Sequence, residues 1–179
     1  MTGLTVAVFD FDGTLVDSDE ALIAPFLALG IDRSRVRLGR VLADECADLG
    51  VTVAQYLDLY DPTASRPFPG IDELLASLDR WGVCSNKHPD SGASELDRLG
   101  WHPTAVSWAV ATGKSLAPLL PQLGVEASEL LYVGDTDHDR DCAIEVGATF
   151  ALAGWNPRAE PATGDLVLSD PCEVLDHLA

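Results

Sequence analysis

A short apolar run that ends in two carboxylates constrains the fold of this chain more than any other feature. Residues 4–9 (Leu-Thr-Val-Ala-Val-Phe) predict a strand that is buried on both faces of a parallel sheet. Asp10 and Asp12 follow, and Gly13 can take the turn that leads the chain away from the sheet. Ligands of open α/β sheets bind at the carboxyl ends of the strands. A lone Asp-x-Asp is often only a solvated strand end, but two acids so close together also indicate a hard cation such as Mg²⁺ between them.

The rest of the chain divides into a helical segment and a series of alternating helices and strands. Residues 18–66 predict a small helical insertion, which ends in a stretch rich in turn formers, and residues 1–17 plus 67–179 predict one α/β core. The patterns predict helices at 18–30, 34–48, 53–60, 71–80, 91–99, 115–123, 139–146 and 171–178, and strands at 81–84, 105–111, 130–133, 149–153 and 166–168.

Two strand-to-helix junctions in the core carry polar residues. Ser85 and Asn86 follow a predicted strand, where a hydroxyl and backbone N–H groups can hold a phosphoryl oxygen, although Ser-Asn in this place is usually only a turn. Lys87 and Lys114 are the only two lysines of the chain, and both fall at such junctions. This placement favours a functional role for Lys114 over a solvated surface lysine.

A third junction is rich in acids. Residues 134–139 read Gly-Asp-Thr-Asp-His-Asp and follow the predicted strand at 130–133. Carboxylates at this edge of the sheet can complete an oxygen cage around a metal ion. Asp135 is the better candidate for direct ligation, and Asp139 is either a second ligand or an anchor behind the ligands.

Together these segments resemble the four motifs of the haloacid dehalogenase-like (HAD) hydrolases. Residues 10–18 (D-F-D-G-T-L-V-D-S) resemble the first motif, Ser85 the second, Lys114 the third, and residues 134–147 the fourth. The family often has proline directly after the third-motif lysine, whereas this chain has Ser115. The resemblance implies a three-layer, HAD-like (Rossmannoid) parallel sheet with a small all-helical cap inserted after the first strand.

The resemblance also implies a chemistry. Asp10 would attack phosphorus and form an aspartyl-phosphate, while Asp12 would protonate the leaving oxygen and later activate water. Lys114 would offset the charge of the nucleophile and the phosphoryl group. The implied phosphate-binding residues are Thr14, Ser85, Asn86 and Lys114. The implied Mg²⁺ ligands are Asp10, the backbone carbonyl of Asp12, Asp135 and, in one of its two roles, Asp139.

The acid at position 12 limits the reactions that the resemblance implies. The family's dehalogenases generally lack an acid at the position of Asp12, and its ion-pumping ATPases carry threonine. We therefore expect a Mg²⁺-dependent phosphatase that acts on a small phosphate monoester. A phosphoglucomutase-like phosphotransferase and a non-catalytic binding or scaffold protein on the same fold are the alternatives. Residues 38–51 faintly resemble the cap of phosphoglycolate phosphatase-type members.

The net charge of the chain limits the classes of molecule that it can bind. The formal net charge of −18 argues against nucleic acid and anionic membranes as partners, since both require a basic surface. No apolar run approaches membrane-spanning length, and a strand begins almost directly after Met1, which leaves no room for a signal peptide. We expect a cytoplasmic protein with a small-molecule substrate. The densest basic cluster consists of Arg33, Arg35, Arg37 and Arg40. We expect these side chains to form surface ion pairs rather than substrate contacts.

Overall fold

A six-stranded, all-parallel sheet forms the centre of the computed structural model, which describes residues 3–109 and 113–179. This arrangement confirms the predicted α/β class. The strands are β1 (Val6–Phe9), β4 (Trp81–Ser85), β5 (Ala105–Trp108), β6 (Leu130–Gly134), β7 (Thr149–Ala153) and β8 (Leu166–Leu168), in the order β5-β4-β1-β6-β7-β8. A separate antiparallel ribbon, which the sequence patterns did not predict, pairs β2 (Val16–Asp17) with β3 (Arg66–Pro67).

Helices cover both faces of the sheet because the residues of the central strand are apolar on both sides. Ala7 and Phe9 of β1 pack into the cluster that includes α4, α5 and the C-terminal 3₁₀ turn, whereas Val6 and Val8 pack toward α6 and α7 on the opposite face. The helices are α1 (Asp19–Ala28), α2 (Leu42–Leu49), α3 (Val53–Leu57), α4 (Ile71–Ala76), α5 (Pro89–Leu99), α6 (Leu119–Leu123) and α7 (Asp137–Val146), with 3₁₀ turns at Arg33–Arg35, Ala127–Glu129 and Pro171–His177.

The strand order places β1 where the chain direction across the sheet reverses. From β1 the chain proceeds outward through β4 and β5 on one side and through β6, β7 and β8 on the other. In open α/β sheets such a reversal leaves a crevice at the carboxyl ends of the strands, where ligands bind. The residues that follow β1 therefore lie at the position in the fold that is best suited to a site.

The first three helices have a small core of their own. Phe26, Cys46, Leu49 and Tyr56 form a hydrophobic cluster that is separate from the two clusters on the faces of the sheet. The ribbon of β2 and β3 brings together the two connections between this helical segment and the sheet. The predicted division at residues 18–66 stays a prediction.

Several predicted boundaries differ from the structure. The predicted helix at 34–48 is wrong in its first part, since only Arg33–Arg35 form a 3₁₀ turn before α2 begins at Leu42. The cause is local, because Val36 and Val41 are extended and Gly39 adopts a positive φ of 78°. The helices predicted to begin at 53 and 71 end early, at Leu57 and Ala76.

Two further boundaries lie near residues 105–123. The helix predicted at 115–123 begins only at Leu119, directly after Pro118. The strand predicted at 105–111 ends at Trp108, and positions 110 and 111 of that prediction lie outside the described residues. The predicted closing helix at 171–178 is a 3₁₀ turn. Across the described ranges, no helix combines the length and the apolar character needed to cross a bilayer.

Candidate active site

The carboxyl edge of the sheet brings together residues from three strand ends and from the segment before α6. Asp10 follows β1, Ser85 ends β4 and Asp135 follows β6, while Lys114 precedes α6. The Lys114 ammonium lies 3.1 Å from Asp10 Oδ2, and only 3% of its side chain is exposed. Ser85 is buried at the end of the neighbouring strand and lines the same crevice as Asp10. Residues separated by more than a hundred positions in sequence thus surround one buried carboxylate.

Three carboxylates share this crevice. One oxygen from each of Asp10, Asp135 and Asp139 lies within 4.8 Å of the others. Burial raises the pKa of Asp10 to about 6, although the Lys114 ammonium opposes the shift. Burial, together with the charges of Asp10 and Asp139, raises the pKa of Asp135 to about 8. An oxygen-only donor set with this much mutual repulsion fits a hard divalent cation.

These pKa shifts predict a pH effect on stability. In the metal-free protein, we expect the free energy of unfolding to fall as the pH rises from about 4 to about 8. Asp10 and Asp135 hold their protons in the folded state at pH values where the unfolded chain has released them, so ionisation favours unfolding. Urea unfolding in chelator at about pH 5 and about pH 8 measures the effect. Asp135→Asn should show a flatter pH dependence, and equal slopes in the two proteins would contradict the prediction.

Asp139 is held by hydrogen bonds on both carboxylate oxygens. Oδ1 accepts from the Lys114 ammonium and from Tyr132 Oη at 2.9 Å. Oδ2 accepts from the backbone N–H groups of Asp135 and Thr136 at 3.1 and 2.9 Å, and from Thr136 Oγ1 at 2.6 Å. Burial alone would raise the pKa of Asp139, but Lys114 and these donors hold it below its ordinary value. Both roles predicted for Asp139, ligand and anchor, stay predictions.

Asp12 faces a different lysine from Asp10. Its Oδ1 accepts from Ser18 Oγ at 2.7 Å and from Lys87 Nζ at 2.9 Å. Asp12 retains 18% side-chain exposure, and it lines the same cavity as Asp10. The two acids of the first motif therefore have separate cationic partners, Lys114 for Asp10 and Lys87 for Asp12.

Two residues predicted to bind phosphate contact other protein groups in this structure. Thr14 Oγ1 donates to Asp135 Oδ1 at 3.2 Å. Asn86 accepts from the backbone N–H of Lys114 at 2.9 Å and donates to the carbonyl of Gly39 at 2.8 Å. Both side chains brace the site in this structure, and their contact with phosphate stays a prediction.

Sequence comparison places the chain in a family. Residues 44–153, more than half of the chain, match the family model described as haloacid dehalogenase-like hydrolase. The chain is a member of this HAD-like hydrolase family. This result confirms the resemblance found in the motifs.

Curated relatives of this HAD-like hydrolase are phosphatases. An N-acetylmuramic acid 6-phosphate phosphatase from Pseudomonas aeruginosa is 28% identical over 98% of this chain and 95% of its own length. A phosphoglycolate phosphatase from Aquifex aeolicus is 29% identical over 96% of this chain and 95% of its own length.

Solved structures share the fold. A HAD-like family hydrolase from Streptococcus pneumoniae superposes with a TM-score of 0.79 at 23% identity, over 98% of this chain and 99% of that one. A HAD-superfamily hydrolase from Geobacter sulfurreducens gives a TM-score of 0.78 at 23% identity, over 98% of this chain and 100% of that one. At this level of identity the superpositions show the fold alone.

The HAD-like site opens into a cavity of about 250 Å³ between the strand ends and helices α1–α3. Arg37 and Arg40 line it, but both are paired with acids of α2. Arg37 lies 2.6 Å from Asp48, and Arg40 lies 2.6 Å from Glu45. The Arg37–Asp48 pair is exposed, as expected from the sequence, whereas Arg40 pairs with the buried Glu45.

The loop after β7 contributes residues that the sequence patterns did not single out. Asn156 Nδ2 donates to the Gly13 carbonyl at 2.8 Å and to Asp135 Oδ2 at 3.1 Å, and Asn156 is buried. Trp155 Nε1 donates to the Thr14 carbonyl at 2.9 Å. Gly13 has a φ of 81°, and a Cβ at this position would lie 2.3 Å from Asp135 Oδ2. A polar residue shortly after the fifth core strand was the only sequence signal for Asn156.

Proposed function

We propose that this chain is a Mg²⁺-dependent phosphatase that hydrolyses a small phosphate monoester through an aspartyl-phosphate on Asp10. The observation that carries the proposal is the buried ammonium of Lys114, 3.1 Å from Asp10, in a crevice that also holds Ser85 and Asp135. A nucleophilic carboxylate, a fixed cation and a hydroxyl donor around one cavity are the groups that phosphoryl transfer requires.

The reaction divides between the two acids of the first motif. An Asp10 oxygen attacks phosphorus and forms an acyl-phosphate bond, while the ester P–O bond breaks and Asp12 gives its proton to the leaving oxygen. Asp12 then takes a proton from water as that water attacks phosphorus, which frees Asp10 and inorganic phosphate. The Lys114 ammonium and the Ser85 hydroxyl lie beside Asp10, where charge on the phosphoryl oxygens develops.

The cluster of carboxylates supports a metal site. Asp10, Asp135 and the backbone carbonyl of Asp12 would hold Mg²⁺, and Asp139 would anchor Lys114 and the turn that carries Asp135. When bound, Mg²⁺ spreads the negative charge that develops during phosphoryl transfer. The hydrogen bonds from Thr14 and Asn156 orient the Asp135 carboxylate.

We assign residues 18–66 as the cap and residues 1–17 plus 67–179 as the core. The separate hydrophobic cluster of α1–α3, the β2–β3 ribbon at the connections and the cavity between α1–α3 and the strand ends support this division. The hydrogen bond from Asn86 to the Gly39 carbonyl fastens a loop of the cap over the site. The cap would select the alcohol portion of the substrate.

The names of the relatives and the charge of the chain support a small phosphate ester as the substrate class. The curated relatives are named for the phosphate esters phosphoglycolate and N-acetylmuramic acid 6-phosphate, both small soluble molecules. The cavity at the strand ends offers space for a small ester. In this proposal the protein is a cytoplasmic enzyme that acts on small molecules. Its formal net charge of −18 disfavours nucleic acid and membranes as partners.

A panel of phosphate esters tests the proposal directly. The purified protein with Mg²⁺ should release inorganic phosphate from one or more esters in a set that includes phosphoglycolate, N-acetylmuramic acid 6-phosphate and an aryl phosphate. Excess chelator should abolish this release, and added Mg²⁺ should restore it, because the clustered carboxylates require a cation. Full turnover in chelator would overturn the metal assignment, and no turnover on any ester would favour a binding protein.

A further inference from the structure

Lys87 is a buried lysine that the reaction scheme above does not use. Its side chain is 2% exposed, and its ammonium lies 2.9 and 3.2 Å from the two carboxylate oxygens of Asp12. This inference rests on the proposed function, in which Asp12 transfers protons. We propose that Lys87 and Tyr60 position the Asp12 carboxylate. The rate of proton transfer then depends on the packing of the segment around Tyr60 against the core. Both are positioning residues, since they act on the reaction through Asp12.

The ammonium of Lys87 has three N–H donors and three partners. Besides Asp12, it contacts Glu95 at 2.8 Å and Tyr60 Oη at 3.1 Å. With every donor engaged, the ammonium has one defined location. Ser18 Oγ donates to Asp12 at 2.7 Å, so the carboxylate is held by two elements of the chain.

The hydrogen bonds around Lys87 join the segment after α3 to helix α5 of the core. Glu95 lies on α5, is fully buried, and accepts from Tyr60 Oη on one oxygen and from Ser65 Oγ on the other. Arg98, also on α5, donates to the Ser65 carbonyl at 3.1 Å. A shift of residues 60–65 relative to α5 would therefore disturb the partners of Lys87 and, through Lys87, the carboxylate of Asp12.

Tyr60→Phe tests this coupling with a small change. Lys87→Met would leave the buried Glu95 without its cation and is expected to unfold the protein in part, so it is not the variant of choice. Tyr60→Phe removes one hydroxyl and keeps the ring. Tyr56→Phe is the matched control, because Tyr56 stacks on Tyr60 with ring centroids 5.9 Å apart, yet its hydroxyl donates to the Leu22 carbonyl at 3.0 Å.

Rapid quench with an aryl phosphate and Mg²⁺ separates the two half-reactions. An aryl leaving group needs no proton, so Tyr60→Phe should form the phosphoenzyme at a rate within about twofold of wild type. The decay of the phosphoenzyme, which needs Asp12 to take a proton from water, should slow by about 10-fold, the scale of one hydrogen bond to a charged group. Tyr56→Phe should leave both rates unchanged.

The outcomes separate this inference from the proposed function. Equal phosphoenzyme decay in Tyr60→Phe and Tyr56→Phe would overturn the positioning role, and so would an equal slowing of formation and decay in Tyr60→Phe, which is the sign of a general structural defect. If the wild type forms no phosphoenzyme, the proposed function itself fails.

Discussion

Replacement of Lys114 by methionine is expected to lower turnover by about 10²–10³-fold, the cost of losing one preorganised donor to a transition state. The ammonium is buried and lies 3.1 Å from Asp10, so the variant lacks a fixed cation beside the nucleophile. Turnover of an aryl phosphate with saturating Mg²⁺ measures the effect. A loss of only a few-fold would show that Lys114 has no part in the reaction.

Stability requires a control, because Lys114 also neutralises the fully buried Asp139. The single variant leaves that carboxylate without a cation, which costs about 3–5 kcal/mol in buried ion pairs. The double variant Lys114→Met/Asp139→Asn removes both charges and should regain much of the lost unfolding free energy without regaining turnover. If the double variant regained turnover together with stability, Lys114 would have a structural role and not a role in the reaction.

Replacement of Asp10 by asparagine is expected to have the largest effect, a loss of more than about 10⁴-fold in turnover, on the scale seen when a nucleophile is removed. An amide has no carboxylate oxygen to attack phosphorus, while its size and its hydrogen bond from the Phe11 N–H are compatible with the same fold. Steady-state release of phosphate measures the loss. The matched variant Asp12→Asn, two residues away, keeps the nucleophile and loses the proton transfers.

The sequence predicted the sheet and most of the site because both depend on local patterns. Apolar runs marked the strands, and parallel strands end at one edge of the sheet, so the residues after them had to converge. Asp10, Ser85, Lys114 and Asp135 lie together for this reason. The motif resemblance added the assignment of each residue to a step, which the geometry alone does not supply.

The parts that escaped prediction depend on contacts between distant segments. Asn156 reaches the carbonyl of Gly13, 143 positions away in the sequence, and nothing near Asn156 indicates that contact. The partners of Lys87 come from residue 60 and from α5, so its role emerges only from packing. The same holds for Thr14, whose hydroxyl turns to Asp135. The predicted starts of two helices are wrong because Gly39 and Pro118 interrupt the helical pattern.

The most direct measurement of the central claim is the mass of the phosphorylated peptide after acid quench. Asp12→Asn mixed with an aryl phosphate and Mg²⁺ should accumulate more acyl-phosphate than wild type, because its first half-reaction needs no protonated leaving group and its second lacks a base. Proteolysis and mass spectrometry should locate one phosphate increment on Asp10, and Asp10→Asn should carry none. An adduct on Asp12, or any adduct on Asp10→Asn, would contradict the assignment of the two carboxylates.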